Sequence, residues 1–400
     1  MLIRGGRVVD PEQGIDAIFD IRLGSAIVEI GEHLEAEKDE SMFDATGAFV
    51  APGFIDMHVH LREPGDPEKE TIATGSAAAV RGGFTAVACM PNTRPALDSR
   101  EVLDALAQRI AEAACRVYPI GAITFGRHGV EPVDYRALAA AGAVAFSDDG
   151  DPVVDEAVAR HAALLAKDVR GAFIEHALDA QMREERIVER DARIAAETGK
   201  AWHIAHVSTA RALDAIRAAR ARGTALTCEV TPHHLYFSEE IAAERGGAAK
   251  VHPPLRSRDD VRALREAALR GEIDCLASDH APHTEREKNL PFADSAPGFT
   301  GLEIAVGAYA LALPELPPSQ LVAMCSTNPA RVLGVPGGTL AVGSRADVTI
   351  FAERPWRVDA RRFASLGKCT PFDGMTLPRQ VLATIVGGAL RYDARTATAA

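Results

Sequence analysis

The fold is decided by residues 53–65, which read Gly53-Phe54-Ile55-Asp56-Met57-His58-Val59-His60-Leu61-Arg62-Glu63-Pro64-Gly65. Alternate residues of a β-strand project to the same face, so His58 and His60 can reach one metal ion from a single rigid element. Arg62 follows just beyond the strand, where its guanidinium could bind a carboxylate through two parallel hydrogen bonds. The stretch therefore predicts a metal site at the end of a strand, with an anionic ligand beside it.

Repeated βα units follow this first strand. From about residue 50 to residue 335, short apolar runs alternate with longer amphipathic stretches, which is typical of a parallel sheet with crossover helices. Eight candidate strands occur, at residues 53–60, 85–90, 117–123, 143–147, 172–176, 201–206, 225–230 and 273–279. Eight units in one continuous region favour a closed barrel over an open sheet. The predicted fold class is α/β, with a (β/α)8 TIM-type metal-dependent barrel at residues 51–337.

The stretches between these strands carry helix signals. Asp98 with Glu101, and Ser257 with Asp260, have the three-residue spacing of a helix N-cap and its partner, and apolar residues at helical spacing follow both pairs. We expect such helices to coat the barrel, with charged faces that are simply solvated.

Both ends of the chain have a different pattern, with short alternating segments and tight turns. Strands are predicted at residues 2–9, 17–23 and 26–30, and again at 338–340, 343–351 and 383–390. The predicted domain organisation is a small composite β domain, built from residues 1–50 plus 338–400, that flanks the barrel.

Composition excludes several classes of partner. The net charge is −12 without any Lys/Arg-rich tract, which argues against nucleic acid or an anionic membrane surface. The six cysteines lack C-x-x-C spacing, so neither a disulfide framework nor a thiolate zinc site is indicated. No apolar run reaches the length of a transmembrane helix, and the first residues lead into strand-like sequence rather than a signal peptide. We expect a cytoplasmic protein.

Polar residues collect at the predicted carboxyl ends of the strands, where barrels carry their function. They are His58, His60, Asp148, Asp149, His176, His203, His206 and Asp279. Taken singly, Asp148-Asp149 reads more readily as a turn, and a lone His176 as a hydrogen-bonded histidine. His203 and His206 lie three residues apart and should point to opposite faces, so only one should coordinate. His233 and His234 suit packing roles. The joint pattern nevertheless predicts a site for one zinc ion, or for two ions that share a bridging carboxylate.

Several blocks together resemble the dihydroorotases of the amidohydrolase superfamily, over essentially the whole chain. They are GFIDMHVHLREPG (53–65), MPNTRP (90–95), FSDDG (146–150), HIAHVST (203–209), CEVTPHHL (228–235), HPPLRS (252–257), ASDHAPHT (277–284) and GTLAVGSRADVTIF (339–351). The resemblance implies reversible cyclisation of N-carbamoyl-L-aspartate to L-dihydroorotate, with loss of water, in de novo pyrimidine biosynthesis. It also implies a homodimer and possible association with aspartate carbamoyltransferase.

The resemblance further implies roles for individual residues. His58, His60 and Asp279 would hold one zinc, His176 and His206 the second, and Asp149 would bridge them. Asp279 would also be the catalytic residue that moves the proton between water and the ring nitrogen. The implied substrate contacts are His60, Arg62, Asn92, His252, His283 and the backbone at Pro297 and Gly298.

Related cyclic amidases generally bridge their metals with a carboxylated lysine, whereas residues 145–149 contain none, so an aspartate bridge of the bacterial class I type is implied. Three departures from the usual dihydroorotase pattern remain. His252 replaces an asparagine, Ala296 begins an Ala-Pro-Gly where Pro-Phe-Gly is usual, and the interval from His176 to His203 is shortened. They leave two alternatives open: a hydantoinase- or allantoinase-like amidase, and a non-catalytic subunit of an aspartate carbamoyltransferase complex.

Overall fold

The computed structural model describes residues 1–150 and 152–397, and we number its strands β1–β18 and its helices α1–α14 along the chain. Eight parallel strands form the central sheet, in sequence order. They are β6 (Phe54–Val59), β7 (Phe84–Cys89), β8 (Arg116–Gly121), β9 (Ala145–Phe146), β10 (Phe173–Glu175), β11 (Trp202–Ile204), β12 (Leu226–Val230) and β13 (Cys275–Leu276). The His60 amide donates to the His280 carbonyl at 2.8 Å, which brings the last strand beside the first. The sheet is a nearly closed barrel, so the predicted α/β barrel and its eight strands are confirmed.

Helices follow most barrel strands and cover the sheet. The larger ones are α1 (Ile72–Arg81), α2 (Arg100–Ala111), α3 (Tyr135–Ala140), α4 (Glu156–Ala166), α5 (Glu184–Thr198), α6 (Ala210–Ala221), α9 (Arg258–Leu269), α11 (Ala305–Ala312) and α13 (Asn328–Leu333). Shorter helical segments are α7 (Pro232–Tyr236), α8 (Ile241–Arg245), α10 (Glu285–Lys288), α12 (Pro318–Val322) and α14 (Ala394–Ala397). Within the described ranges, no helix is both long and apolar enough to cross a membrane.

Of the two predicted helix N-caps, one is confirmed and one is wrong. Ser257 caps α9 as predicted, because its hydroxyl accepts the Asp260 amide at 3.2 Å. The prediction for Asp98 is wrong by one residue: Ser99 caps α2. The Asp98 carboxylate instead accepts the Gly126 amide at 2.8 Å, and so ties two loops together at the barrel mouth.

Strands from both ends of the chain form a second, mixed sheet of eight strands. They are β1 (Leu2–Asp10), β2 (Ile15–Leu23), β3 (Ile27–Gly31), β4 (Met42–Asp44), β5 (Phe49–Pro52), β14 (Val348–Ala352), β17 (Gln380–Val386) and β18 (Ala389–Asp393). The remaining pair, β15 (Trp356–Arg357) and β16 (Thr376–Leu377), forms a separate ribbon. Because β5 reaches Pro52, this sheet extends slightly past residue 50, and the domain division at 1–50 plus 338–400 stays a prediction.

The predicted strand at 338–340 is absent. The Thr339 hydroxyl and the Leu340 amide both donate to the Asp10 carboxylate, at 2.9 and 2.6 Å, instead of to a neighbouring strand. A buried carboxylate has therefore replaced a strand partner for this segment. The predicted strand at 343–351 likewise begins only at Val348, after a turn.

Candidate metal and substrate site

One cavity of about 380 Å³ lies at the carboxyl ends of the barrel strands, and every residue to which the dihydroorotase resemblance gives a role lines it. Its lining comprises His58, His60, Arg62, Asn92, Asp149, Gly150, His176, His206, His252, Asp279, Ala281, His283, Pro297 and Gly298. These residues are up to 240 positions apart in sequence, from His58 to Gly298, and the barrel brings them to one mouth.

The first barrel strand contributes His58 and His60, whose rings lie 5.5 Å apart. The His58 Nδ1 is 2.6 Å from the Glu229 carboxylate, so the Nδ1–H donates there and the Nε2 atom faces the cavity. The His60 Nδ1 is 2.9 Å from Asn92 Oδ1, which leaves its Nε2 toward Asp279, 3.2 Å away. The Nε2 atoms of both imidazoles thus face the same space.

The two adjacent aspartates after β9 have different environments. Asp148 accepts the Ile123 and Thr124 amides at 2.8 and 2.9 Å as well as the Thr124 hydroxyl, so its oxygens fix a loop. Asp149 points into the cavity, against His176 Nε2 and 3.6 Å from His60 Nδ1. Burial alone would raise the pKa of Asp149, but His176 and His60 outweigh it and hold the pKa well below its ordinary value. The geometry favours Asp149 over Asp148 as the ligand.

His176 and His206 complete the histidine cluster. The His176 Nε2 lies 3.3 Å from the His58 Nε2, and the ring centroids of His176 and His206 are 4.7 Å apart. His203, by contrast, contacts Thr227 at 2.8 Å and Glu229 at 3.3 Å, away from the cavity lining. The expectation that only one of the two histidines near β11 faces the site agrees with this placement.

Three cavity residues have left-handed backbone conformations. The φ angles are 58° at Arg62, 30° at His206 and 48° at Asp279. A non-glycine residue with positive φ costs on the order of 1–3 kcal/mol, and such residues concentrate at functional sites. Each lies two or three residues after the end of a barrel strand, and its side chain lines the cavity.

The donor set fits a metal ion. Candidate ligand atoms of His58, His60 and Asp149, and of His58, His176 and His206, lie within 4.8 Å of one another. Asp149 Oδ2 and His206 Nδ1 are buried and have no hydrogen-bond partner among the described residues. Burial lowers the pKa of His58, but Glu229 and Asp279 outweigh burial and raise it well above its ordinary value. Buried ligand atoms without partners, in negatively charged surroundings, are what a divalent cation would satisfy.

Glu229 is the principal residue that the sequence reasoning missed. It is fully buried on β12, between His58 Nδ1 and His203 Nε2. Burial would raise the pKa of Glu229, but the two histidines hold it well below its ordinary value. The available signal was a lone carboxylate inside an apolar strand, which needs a cationic or hydrogen-bonding partner. Glu229 orients His58, as a carboxylate behind a metal-binding histidine commonly does.

The side of the cavity with the predicted substrate contacts is built around Arg62. Its Nε donates to the Pro282 carbonyl at 3.2 Å, and its Nη2 lies 3.3 Å from His283 Nε2. The His283 Nε2 also lies 2.8 Å from the Pro297 carbonyl. Burial, assisted by the Arg62 charge, lowers the pKa of His283 to about 3. A neutral His283 therefore lies beside a cationic Arg62.

The remaining histidines divide between lining and packing. His252, one of the three departures from the dihydroorotase pattern noted in the sequence, lines the cavity. His234 bonds Thr231 at 2.8 Å and the Pro253 carbonyl at 3.0 Å, and His233 packs against Phe299 with ring centroids 5.0 Å apart. Neither His233 nor His234 lines the cavity, consistent with packing roles.

The class of protein follows from a family comparison. Residues 49–391 match the amidohydrolase family. The chain belongs to this family of metal-dependent hydrolases, which agrees with the barrel and with its cluster of histidines and aspartates.

The most similar relatives narrow the class. The chain is 45% identical to a dihydroorotase from Pelotomaculum thermopropionicum, over 97% of each chain. It is 42% identical to a dihydroorotase from Anaeromyxobacter dehalogenans, over 98% of each. Within the family, the chain therefore groups with the dihydroorotases, hydrolases of cyclic amides.

Solved structures of similar fold have lower identity. An L-hydantoinase from Arthrobacter aurescens superposes with a TM-score of 0.87 at 24% identity, covering 97% of this chain and 95% of its own. A dihydropyrimidinase from Brevibacillus agri gives 0.85 at 22%, covering 97% and 94%. These likenesses establish the shared fold alone.

Proposed function

We propose that this protein is a catalytically active dihydroorotase that interconverts N-carbamoyl-L-aspartate and L-dihydroorotate. The observation that carries the proposal is the joint presence, in one cavity, of six competent metal ligands and Arg62. A scaffold subunit would have no need to retain all seven. Both compounds also have a carboxylate that Arg62 could bind and a carbonyl carbon that could react beside the proposed metal ligands.

Zinc is the proposed metal, because imidazole and carboxylate donors at a buried site suit this ion. His58, His60, Asp149, His176, His206 and Asp279 would hold two ions, with Asp149 between them. When bound, zinc lowers the pKa of water and polarises a carbonyl oxygen, which is the chemistry that this reaction needs. Because His58 belongs to both groups of close ligand atoms, the division of the histidines between the two ions is part of the proposal.

Arg62 and Asn92 orient the substrate. Since Arg62 Nε is already bonded to the Pro282 carbonyl, the edge formed by its two Nη atoms remains for a carboxylate. Asn92 Oδ1 accepts from His60, so the Asn92 amide nitrogen is left to donate into the cavity. Two positively polarised groups therefore hold the carboxylate and place the scissile bond at the metal side.

Asp279 moves the proton. Burial would raise its pKa, but His58 and His60 keep the pKa below its ordinary value, so Asp279 is ionised at neutral pH. During ring closure it accepts a proton from the attacking ureido nitrogen and returns it to the oxygen that departs from the carboxyl carbon; because this carboxyl group starts ionised, a second proton from solvent completes the water that leaves. In the hydrolytic direction the same carboxylate takes the proton from water and delivers it to the ring nitrogen.

The test is a cyclisation assay on purified protein, after chelation and with zinc added back. We expect turnover of carbamoyl-aspartate that depends on zinc, and little turnover of hydantoin or allantoin. A protein that binds zinc but prefers hydantoin or allantoin would be the alternative amidase, a possibility that His252 and the shortened 177–202 segment keep open. A protein that binds no zinc and has no turnover would be the non-catalytic subunit.

A homodimer and association with aspartate carbamoyltransferase belong to the same proposal, since they follow from the dihydroorotase resemblance. Sedimentation of the purified protein alone, and then mixed with that enzyme, tests both. The cytoplasmic location expected from the sequence stays a prediction.

A further inference from the structure

The loop after the last barrel strand contains a buried lysine that the reaction itself does not use. Residues 284–298 run over the cavity and end at Pro297 and Gly298, which line it. Lys288, the last residue of α10, is only 4% exposed, although lysine is almost never buried without a partner. Burying an ammonium is costly unless it is hydrogen-bonded, so its contacts are informative.

Among the described residues, the hydrogen bonds of Lys288 Nζ all go to backbone carbonyls beside the predicted substrate contacts. Lys288 Nζ lies 2.7 Å from the Ala296 carbonyl, 2.6 Å from the Gly298 carbonyl and 3.5 Å from the Lys250 carbonyl. The Gly298 amide also donates to the Lys250 carbonyl, at 2.9 Å. An ammonium has three donors, and here they join the 296–298 turn to the segment that leads to His252.

The other side of the turn is closely packed. Gly298 has a φ of 117°, and a Cβ there would lie 2.6 Å from the Ala281 Cβ and 2.8 Å from its carbonyl oxygen. Of three consecutive carbonyls, those of residues 296 and 298 bind Lys288, whereas that of Pro297 lies 2.8 Å from His283 Nε2, a cavity residue. The turn is therefore held between the lysine and the end of the barrel.

We propose that Lys288 is a positioning residue, which fixes the 296–298 turn so that the Pro297 carbonyl accepts a ring or ureido N–H of the substrate. Proline has no N–H and the Gly298 N–H is already bonded, so an acceptor is what this backbone offers the cavity. The inference rests on the proposed function and adds to it the side chain that holds the backbone contact at Pro297, opposite the carboxylate contact at Arg62.

Lys288→Met tests the proposal, because methionine retains the volume of the stem and removes the donors. Lys250→Met is the matched control, since Lys250 Nζ bonds the Ala293 carbonyl of the same loop at 2.6 Å, outside the cavity lining. Three quantities are compared: KM and kcat for carbamoyl-aspartate, the Kd of orotate by calorimetry, and bound zinc. We expect Lys288→Met to raise KM and the orotate Kd by at least about tenfold, with kcat within threefold and zinc unchanged. Lys250→Met should stay within twofold of the wild type.

Equal KM and orotate affinity in the two variants would overturn the proposal, as would a loss of zinc and kcat together in Lys288→Met, which indicates general damage. If Lys288→Met does not fold, Lys288→Gln decides, because its amide can serve only part of the carbonyl set and should give an intermediate rise in KM. Wild-type protein without turnover would count against the proposed function. Orotate binding would still test the role of Lys288 in that case.

Discussion

The cavity has a metal side, formed by the six proposed metal ligands, and a substrate side, formed by Arg62, Asn92 and His283, and the two sides are built in different ways. The six proposed metal ligands lie at or just after barrel strands, and none is more than 6% exposed. Arg62, Asn92 and His283 lie on loops, and their orientation depends on backbone groups such as the Pro282 and Pro297 carbonyls. The comparison teaches that the barrel itself determines the metal side, whereas contacts between distant loops determine the substrate side.

Asp279 belongs to both sides, so its replacement should have the largest effect. Asp279→Asn preserves shape but removes the proton acceptor and one ligand. We expect kcat to fall at least about a thousandfold, within the range for loss of a general acid–base group. The measurement is steady-state cyclisation of carbamoyl-aspartate. Asp294→Asn, an exposed aspartate of the 284–298 loop, is the control and should leave kcat within twofold. Retention of a tenth of the activity in Asp279→Asn would remove Asp279 from the proton transfer.

Glu229→Gln addresses the metal side alone. A glutamine can present its carbonyl oxygen to His58 or to His203 but not to both, so the His58 ring loses part of its orientation. Loss of a carboxylate behind a metal ligand typically costs about 10–100-fold in metal affinity. We expect zinc affinity to fall by that factor, with activity restored by excess zinc and KM unchanged. Unaltered zinc affinity in a competition titration would show that the histidine does not depend on Glu229.

The same division explains how much the sequence could predict. The period of two in a strand relates His58 to His60, and the rule that barrel function collects at strand ends relates both to Asp279, so these proposed ligand positions follow from the sequence pattern. The choice between Asp148 and Asp149 does not follow from it. Asp148 is diverted by the Ile123 and Thr124 amides, and these partners are known only from the folded chain.

The partners of Glu229 and Lys288 could not be predicted from the sequence, for a related reason. Each acts through a partner far away in sequence or through backbone carbonyls, which have no residue signature. The left-handed conformation of Asp279 is also a product of tertiary packing, because aspartate has only a modest intrinsic tolerance for it.

Arg62→Lys addresses the substrate side alone. Lysine keeps the charge but loses the planar edge that matches a carboxylate, and it cannot also bind the Pro282 carbonyl as Nε does. We expect KM for carbamoyl-aspartate to rise by roughly tenfold or more, with bound zinc unchanged. Kinetics equal to the wild type would remove Arg62 from substrate binding. A parallel loss of zinc would show that the two sides are not independent.

His283 provides the smallest of these effects, on stability rather than turnover. Its pKa is about 3 in the folded protein against an ordinary value of 6.5. The unfolded chain therefore takes up the proton first, and the stability that His283 contributes is complete above pH 6.5 and is lost as the pH falls toward 3. At pH 5.5 the loss amounts to about 1.4 kcal/mol, one pKa unit. We expect the free energy of unfolding of the zinc-free protein to fall between pH 7.5 and pH 5.5 by about that much more in the wild type than in His283→Asn, as measured by urea unfolding. An identical pH dependence in the two proteins would mean that folding does not lower the pKa of His283, which would then become protonated beside Arg62 as the pH falls through its ordinary value of 6.5.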